Sequence, residues 1–138
     1  MKKRVLVTTA TALAMTAIMN MSVFAVSGKK IDIPANQTWR TASEESRTGK
    51  HSDVKVRCDS VRPKSGDDNY TQIQARITTS SGTLMMYNDY ERLVECGSNG
   101  NFNFIDIKNG YLGQSNVKFQ FRGNTSSPAD ANVSYSAR

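Results

Sequence analysis

Val117-Lys118-Phe119-Gln120-Phe121-Arg122 is the stretch that most clearly indicates the fold, because apolar and polar side chains alternate along it without interruption. Successive side chains of an extended chain point to opposite sides, so this segment, as a strand, has one apolar and one polar face. The same alternation occurs at residues 54–58, 72–77 and 132–137. Each of these segments is therefore predicted to be a strand that buries one face.

Weaker strand patterns occur at residues 30–33, 37–41, 83–88, 92–96 and 102–107, and clusters of Gly, Pro, Asn and Ser separate them. Strands with one apolar face need a second layer to cover that face. We therefore expect an all-β fold, a single small antiparallel β-sandwich of eight or nine short strands. A β-barrel is the less favoured alternative. For residues 83–95, a short amphipathic helix is the alternative to strands.

The N-terminal segment has the order of a secretion signal. It has a basic Lys-Lys-Arg at 2–4, an uncharged stretch at 5–21 and a small-x-small site at Val23-Phe24-Ala25. A membrane anchor is less favoured, because threonines interrupt the stretch and it is shorter than a bilayer span. We expect cleavage after Ala25, which divides the chain into a signal peptide at 1–25 and a secreted domain at 26–138.

The chain has two cysteines, Cys58 and Cys96, and both follow the predicted signal. An even pair in an oxidising compartment predicts one disulfide. A zinc site of the usual kind is not expected, because His51 is the only histidine.

Charge gives only a mild indication of partners. The signal holds three of the 18 basic residues and none of the 12 acidic ones, so residues 26–138 have 15 basic against 12 acidic residues, a net charge of +3. Residues 26–64 have nine basic against five acidic residues, and residues 65–138 have six against seven. A preference for anionic partners follows if the cations share a face, whereas scattered charge only favours solubility.

No catalytic set is visible. His51, Ser52 and Asp53 are adjacent, and neighbouring side chains of an extended chain point apart, so they do not form a triad. The pair Asp67 and Asp68 has too few oxygens for calcium and is typical of a turn. We therefore expect a protein that is not an enzyme and has no cofactor or metal site. An enzyme that uses a pair of loop carboxylates is kept only as the third-ranked hypothesis.

Aromatic residues are the remaining candidates for binding. Trp39 beside Arg40, together with Tyr70, Tyr87, Tyr90 and Tyr111, would form a stacking platform for a sugar or a basic-aromatic patch for an anionic polymer. For Trp39 we favour the alternative of a position in the core, because this residue lies in a strand-like run. Tyr111 follows Asn-Gly and is expected to be exposed on a turn.

The leading hypothesis is a secreted, non-enzymatic protein that binds a cell-surface polymer, a glycan or a protein through its loops. This rests on the absence of catalytic motifs and on a fold that presents loops. The alternative is a bacteriocin-like or toxin-like effector that acts on neighbouring cells. Neither a nucleic acid partner nor stable membrane insertion after cleavage is expected.

Overall fold

The computed structural model describes residues 26–47, 51–65, 70–87, 92–97 and 102–138, and for Arg92 it describes the backbone alone. The predicted signal at 1–25 lies outside the described residues. The strands are β1 (Val26–Ile33), β2 (Arg40–Ser46), β3 (Asp53–Pro63), β4 (Gln72–Thr78), β5 (Arg92–Glu95), β6 (Asn103–Asp106), β7 (Asn116–Gly123) and β8 (Ala129–Ser136). One turn of 3-10 helix occupies Asn109–Tyr111.

The strands form two four-stranded sheets. The first sheet has the order β1-β8-β3-β6, the second has the order β2-β7-β4-β5, and neighbouring strands are antiparallel in both. The apolar faces of the two sheets pack against each other around one core. The predicted all-β sandwich is therefore confirmed.

The stretch at 117–122 lies in β7 and follows its predicted alternation. Val117, Phe119 and Phe121 are buried, whereas the polar residues between them are half-buried on the outer side. The rings of Phe119 and Phe121 lie 4.5 and 5.9 Å from the ring of Tyr135 in β8, measured between centroids. A fully buried side chain of this size stabilises the fold by about 2 kcal/mol.

The predicted disulfide between Cys58 and Cys96 is confirmed, with an S–S distance of 2.02 Å. Cys58 is a buried residue of β3 in the first sheet, and Cys96 directly follows β5 in the second sheet. The bond therefore joins the two layers of the sandwich covalently.

The strand predicted at 37–41 is wrong in its bounds, because β2 begins at Arg40. Asn36 and Gln37 have φ values of 59° and 55°, which belong to the left-handed region and not to a strand. The Asn36 N–H donates to the carbonyl of Ser126 at 2.8 Å, so this turn is held against the β7–β8 loop.

The strand predicted at 83–88 is not formed as a continuous element over the described residues 83–87, where the pairing consists of two isolated bridges, Thr78 with Leu84 and Met86 with Ile107. The Met85 N–H donates to Ile77 and the Met85 carbonyl accepts from Lys108, so the segment bonds to two different neighbours and extends no ladder. The alternative helix is absent from residues 83–87 and 92–95, and residues 88–91 lie outside the described part.

Candidate ligand-binding surface

Trp39 lies on the outer face of the second sheet, and its predicted place in the core is wrong. It is half-buried and does not belong to the core cluster. Arg40 is opposite Phe121 and Thr41 is opposite Gln120, so Trp39 is level with Arg122, an outward residue of β7. The register that follows the Asn36–Gln37 turn therefore sets the side on which the indole lies.

Two guanidinium groups lie against the indole. The guanidinium carbon of Arg76 is 4.3 Å from the centroid of the Trp39 ring, and that of Arg122 is 4.6 Å from it. Both distances are well inside the range in which a cation is attracted to an aromatic face. Trp39 is thus held by two cations from different strands.

Glutamine side chains orient both arginines. Nε of Arg76 donates to Oε1 of Gln120 at 2.7 Å, and Nε of Arg122 donates to Oε1 of Gln74 at 2.5 Å. Each pair consists of directly opposite residues of β4 and β7. Because the rigid sheet sets this register, the guanidinium groups are held under the indole before any ligand arrives.

We call the surface formed by Trp39, Gln74, Arg76, Gln120 and Arg122 the tryptophan face. Further amide and hydroxyl groups border it. Gln120 Nε2 donates to Oγ1 of Thr41 at 2.9 Å, and Gln74 Nε2 lies 3.5 Å from Oδ1 of Asn124. An aromatic plane beside guanidinium and amide donors can stack on a sugar ring and hydrogen-bond its hydroxyl or carboxylate oxygens.

Arg40, predicted as the basic partner of Trp39, is exposed. The cations that contact the indole among the described residues are Arg76 and Arg122, which are far from Trp39 in sequence. The predicted combination of an aromatic ring and a basic residue is present, but its basic members are different. Adjacent side chains in an extended segment point apart, which explains why Arg40 is not one of them.

Two of the predicted tyrosines, Tyr87 and Tyr111, are associated with the 3-10 turn at Asn109–Tyr111. Tyr87 is 52% exposed, and its hydroxyl oxygen accepts a hydrogen bond from the Asn109 N–H at 3.0 Å. Tyr111, in the same turn as Asn109, is half-buried against the core, so its predicted exposure is wrong. Tyr70 is buried in the core and is therefore not part of a binding surface, and Tyr90 lies outside the described residues.

A second aromatic surface, which was not predicted from the sequence, lies on the outer face of the first sheet. Phe102 and Phe104 are 38% and 46% exposed, and the Lys55 ammonium lies 5.6 and 5.7 Å from their ring centroids. Arg57 lies over Phe102 and Arg138 over Phe104. The alternation of Phe104 with buried Ile105 already places Phe104 on the polar side of β6, and this signal was available in the sequence.

His51 lies in the exposed segment before β3, with its Nδ1 atom 3.2 Å from a guanidinium nitrogen of Arg138. Within the described ranges, no group of three or more His, Cys, Asp or Glu side chains is arranged to hold a metal ion. Asp67 and Asp68 lie outside those ranges. In the same part of the chain, no helix has the length and apolar character needed to cross a bilayer.

Comparison of the chain with protein-family models, with curated proteins and with solved structures finds no match. A proposal about function therefore rests on the surface chemistry of the molecule itself.

Proposed function

We propose that this protein is secreted and non-enzymatic, and that it binds an extracellular glycan carrying acidic groups through the tryptophan face. The observation that carries the proposal is the position of the Trp39 ring, which is held against two guanidinium groups on the outer side of a rigid sheet. A surface that is already ordered loses little conformational entropy when a ligand binds.

The chemistry of this surface favours a sugar over a purely apolar ligand. Half-buried Trp39 retains part of its surface for stacking against the C–H groups of a sugar ring. The amides of Gln74 and Gln120 and the guanidinium groups offer donors and acceptors at fixed positions beside the ring. Hydroxyl-rich ligands need this combination of an apolar plane and polar groups.

The charge of the same surface favours an acidic sugar. Arg76, Arg122 and Lys118 all project from the outer sides of β4 and β7. Glu44, which is opposite Lys118 on β2, accepts a hydrogen bond from the Ser80 hydroxyl. Guanidinium groups recognise carboxylates and other oxyanions through their fork of N–H donors.

The test compares polygalacturonate and hyaluronan with neutral dextran, using the protein with its disulfide intact and affinity electrophoresis or calorimetry. We expect retention on the acidic polymers, weaker retention at high salt and none on dextran. Trp39→Ala and Arg122→Gln should each weaken binding about tenfold.

The matched control is Tyr87→Ala, which removes an exposed aromatic ring away from the tryptophan face. It should leave retention unchanged, and all variants should melt as cooperatively as the parent. Equal binding to dextran, or loss of binding in Tyr87→Ala and not in Trp39→Ala, would overturn the proposal.

A further inference from the structure

A shallow cleft of about 390 Å³ lies on the outer face of the first sheet, opposite to the tryptophan face. It crosses three strands, because Lys30 of β1 is opposite Asn132 of β8, which is in turn opposite Ser60 of β3. Arg62 and Asp130, the next outward pair, complete its polar lining.

A β-bulge in β3 turns two of these side chains outward. Cys58 is opposite Val133, but the next paired residue is Ser60 opposite Asn132, so Asp59 is the inserted residue. Without the insertion, Ser60 would share the inward face of Cys58, since residues two positions apart in a strand point the same way. The bulge therefore brings Ser60 and Arg62 to the outer face, and bulges frequently re-aim side chains in this manner.

Two acidic side chains, Asp32 and Asp130, lie near the cleft, and both contact Lys64. Together with Lys30 and Arg62 this makes three cations against two carboxylates, a net charge of +1. The Lys64 ammonium lies 2.5 Å from Oδ1 of Asp32 and 3.6 Å from Oδ1 of Asp130. The hydrogen bond from Lys64 lowers the pKa of Asp32, so this carboxyl is ionised and engaged at neutral pH.

Among the described residues, the two other cations of the cleft, Lys30 and Arg62, have no such partner. In the part of the chain that the structure describes, neither the Lys30 ammonium nor the Arg62 guanidinium makes a hydrogen bond or an ion pair. Asn132 Nδ2 donates to Oγ of Ser60 at 3.1 Å, and this leaves the hydrogen of the Ser60 hydroxyl available to an acceptor. The cleft that crosses these three strands is therefore lined by two cationic donors, Lys30 and Arg62, and by one neutral donor, the Ser60 hydroxyl.

We propose that this cleft binds a tetrahedral oxyanion, a phosphate or sulfate group, between Lys30 and Arg62. Lys30 supplies a compact charge, Arg62 supplies a fork of N–H donors, and the Ser60 hydroxyl donates to a third oxygen. The site lies on the other sheet from the tryptophan face, so it does not depend on the proposed function.

Backbone amide shifts in NMR spectra of the oxidised protein test the site, with inorganic phosphate, inorganic sulfate and glucose 6-phosphate as probes. We expect saturable shifts centred on Ser60, Ala131 and Asn132. Lys30→Gln and Arg62→Gln should each weaken phosphate binding about tenfold. Lys118→Gln removes the same charge from the opposite sheet and should leave the affinity unchanged.

The three probes distinguish a free oxyanion from an oxyanion carried on a sugar. Binding of inorganic anions identifies a site for free oxyanions, whereas binding of glucose 6-phosphate alone identifies a site for a sugar-borne group, and both support the proposal. The absence of saturable shifts with all three probes, or equal weakening in Lys118→Gln, overturns it. Trp39→Ala should retain phosphate binding, so failure of the glycan proposal and failure of this one are distinguishable.

Discussion

The hydroxyl oxygen of Tyr135 in the first sheet lies 2.5 Å from Oγ of Ser43 in the second sheet. Ser43 Oγ also donates to Oε1 of Glu45 at 2.5 Å, so Tyr135 is the donor to Ser43. Burial raises the pKa of the Tyr135 hydroxyl above its usual range. The two sheets are thus linked by a polar contact between buried Tyr135 and half-buried Ser43 at the edge of the core.

This contact predicts a loss of stability in alkali. Because the folded-state pKa of Tyr135 is raised above the unfolded value, its contribution is fully present below about pH 10 and is lost as the pH rises through the folded pKa. Urea unfolding from pH 8 upward should show a steeper fall for the parent than for Tyr135→Phe. Tyr87→Phe, at an exposed site, should behave as the parent does, and parallel curves for all three proteins would contradict the prediction.

Tyr135→Phe should also destabilise the protein at neutral pH, by about 1 kcal/mol, because Ser43 loses its donor while the ring packing is kept. Chemical denaturation at pH 7 measures the change. An unchanged free energy of unfolding would show that the contact between the sheets contributes nothing.

Reduction of the disulfide should cost about 4 kcal/mol in the chain-entropy model, for a bond with a sequence separation of 38. Denaturant midpoints with and without dithiothreitol measure this loss. The Cys58→Ala/Cys96→Ala variant should match the reduced protein and should not respond to dithiothreitol. Two titratable thiols in protein recovered from culture medium would count against the bond.

Gly123 is predicted to tolerate no side chain. A Cβ atom there would overlap the Tyr70 hydroxyl oxygen and would lie 3.0 Å from the Thr125 carbonyl oxygen. The Tyr70 hydroxyl donates to the Ser127 carbonyl at 2.6 Å, so it cannot move without losing that bond. Gly123→Ala should destabilise the fold by about 2 kcal/mol.

Thermal denaturation provides the measurement, with Gly110→Ala as the control, since a Cβ at Gly110 meets no atom within 4 Å. Tyr70→Phe removes the clashing oxygen and should restore part of the loss caused by Gly123→Ala. If the double variant is as unstable as the two single changes added together, the clash is not the cause.

Cleavage after Ala25 predicts a secreted product that begins at Val26. Intact-mass analysis of protein exported by a bacterial host checks this start. A product that retains residues before Val26 would show that the sequence was cut elsewhere or not at all. Val26 is also the first residue of β1, so the predicted cut would leave a product that begins in a strand.

The fold was predictable because its main signal is local. Whether Phe119 is inward depends only on the alternation along its own strand, and every residue of that strand is visible in one short stretch. The position of Trp39 is different, because it depends on a turn with two positive φ values and on the register of β2 against β7. Neither property is encoded in the pattern of residues 37–41 alone.

The candidate site was predictable in its chemistry but not in its members. A single indole and an excess of arginine and lysine indicate an aromatic and basic surface. The pairing of Trp39 with Arg76 and Arg122 requires three strands to be placed side by side, which is a long-range property of the sheet. The cleft between Lys30 and Arg62 likewise depends on the β-bulge at Asp59, and no sequence motif predicts this bulge.

The contact of Trp39 with two guanidinium groups also gives the protein its own optical reporter. Trp39 is the only tryptophan in the chain, so its fluorescence comes from one known place. Any ligand that draws Arg76 or Arg122 away from the indole changes the electric field at the fluorophore. When the protein is excited at the long-wavelength edge of the indole absorption, where neutral tyrosine does not absorb, emission spectra of the unlabelled protein therefore follow events on this one face and receive no signal from Tyr135.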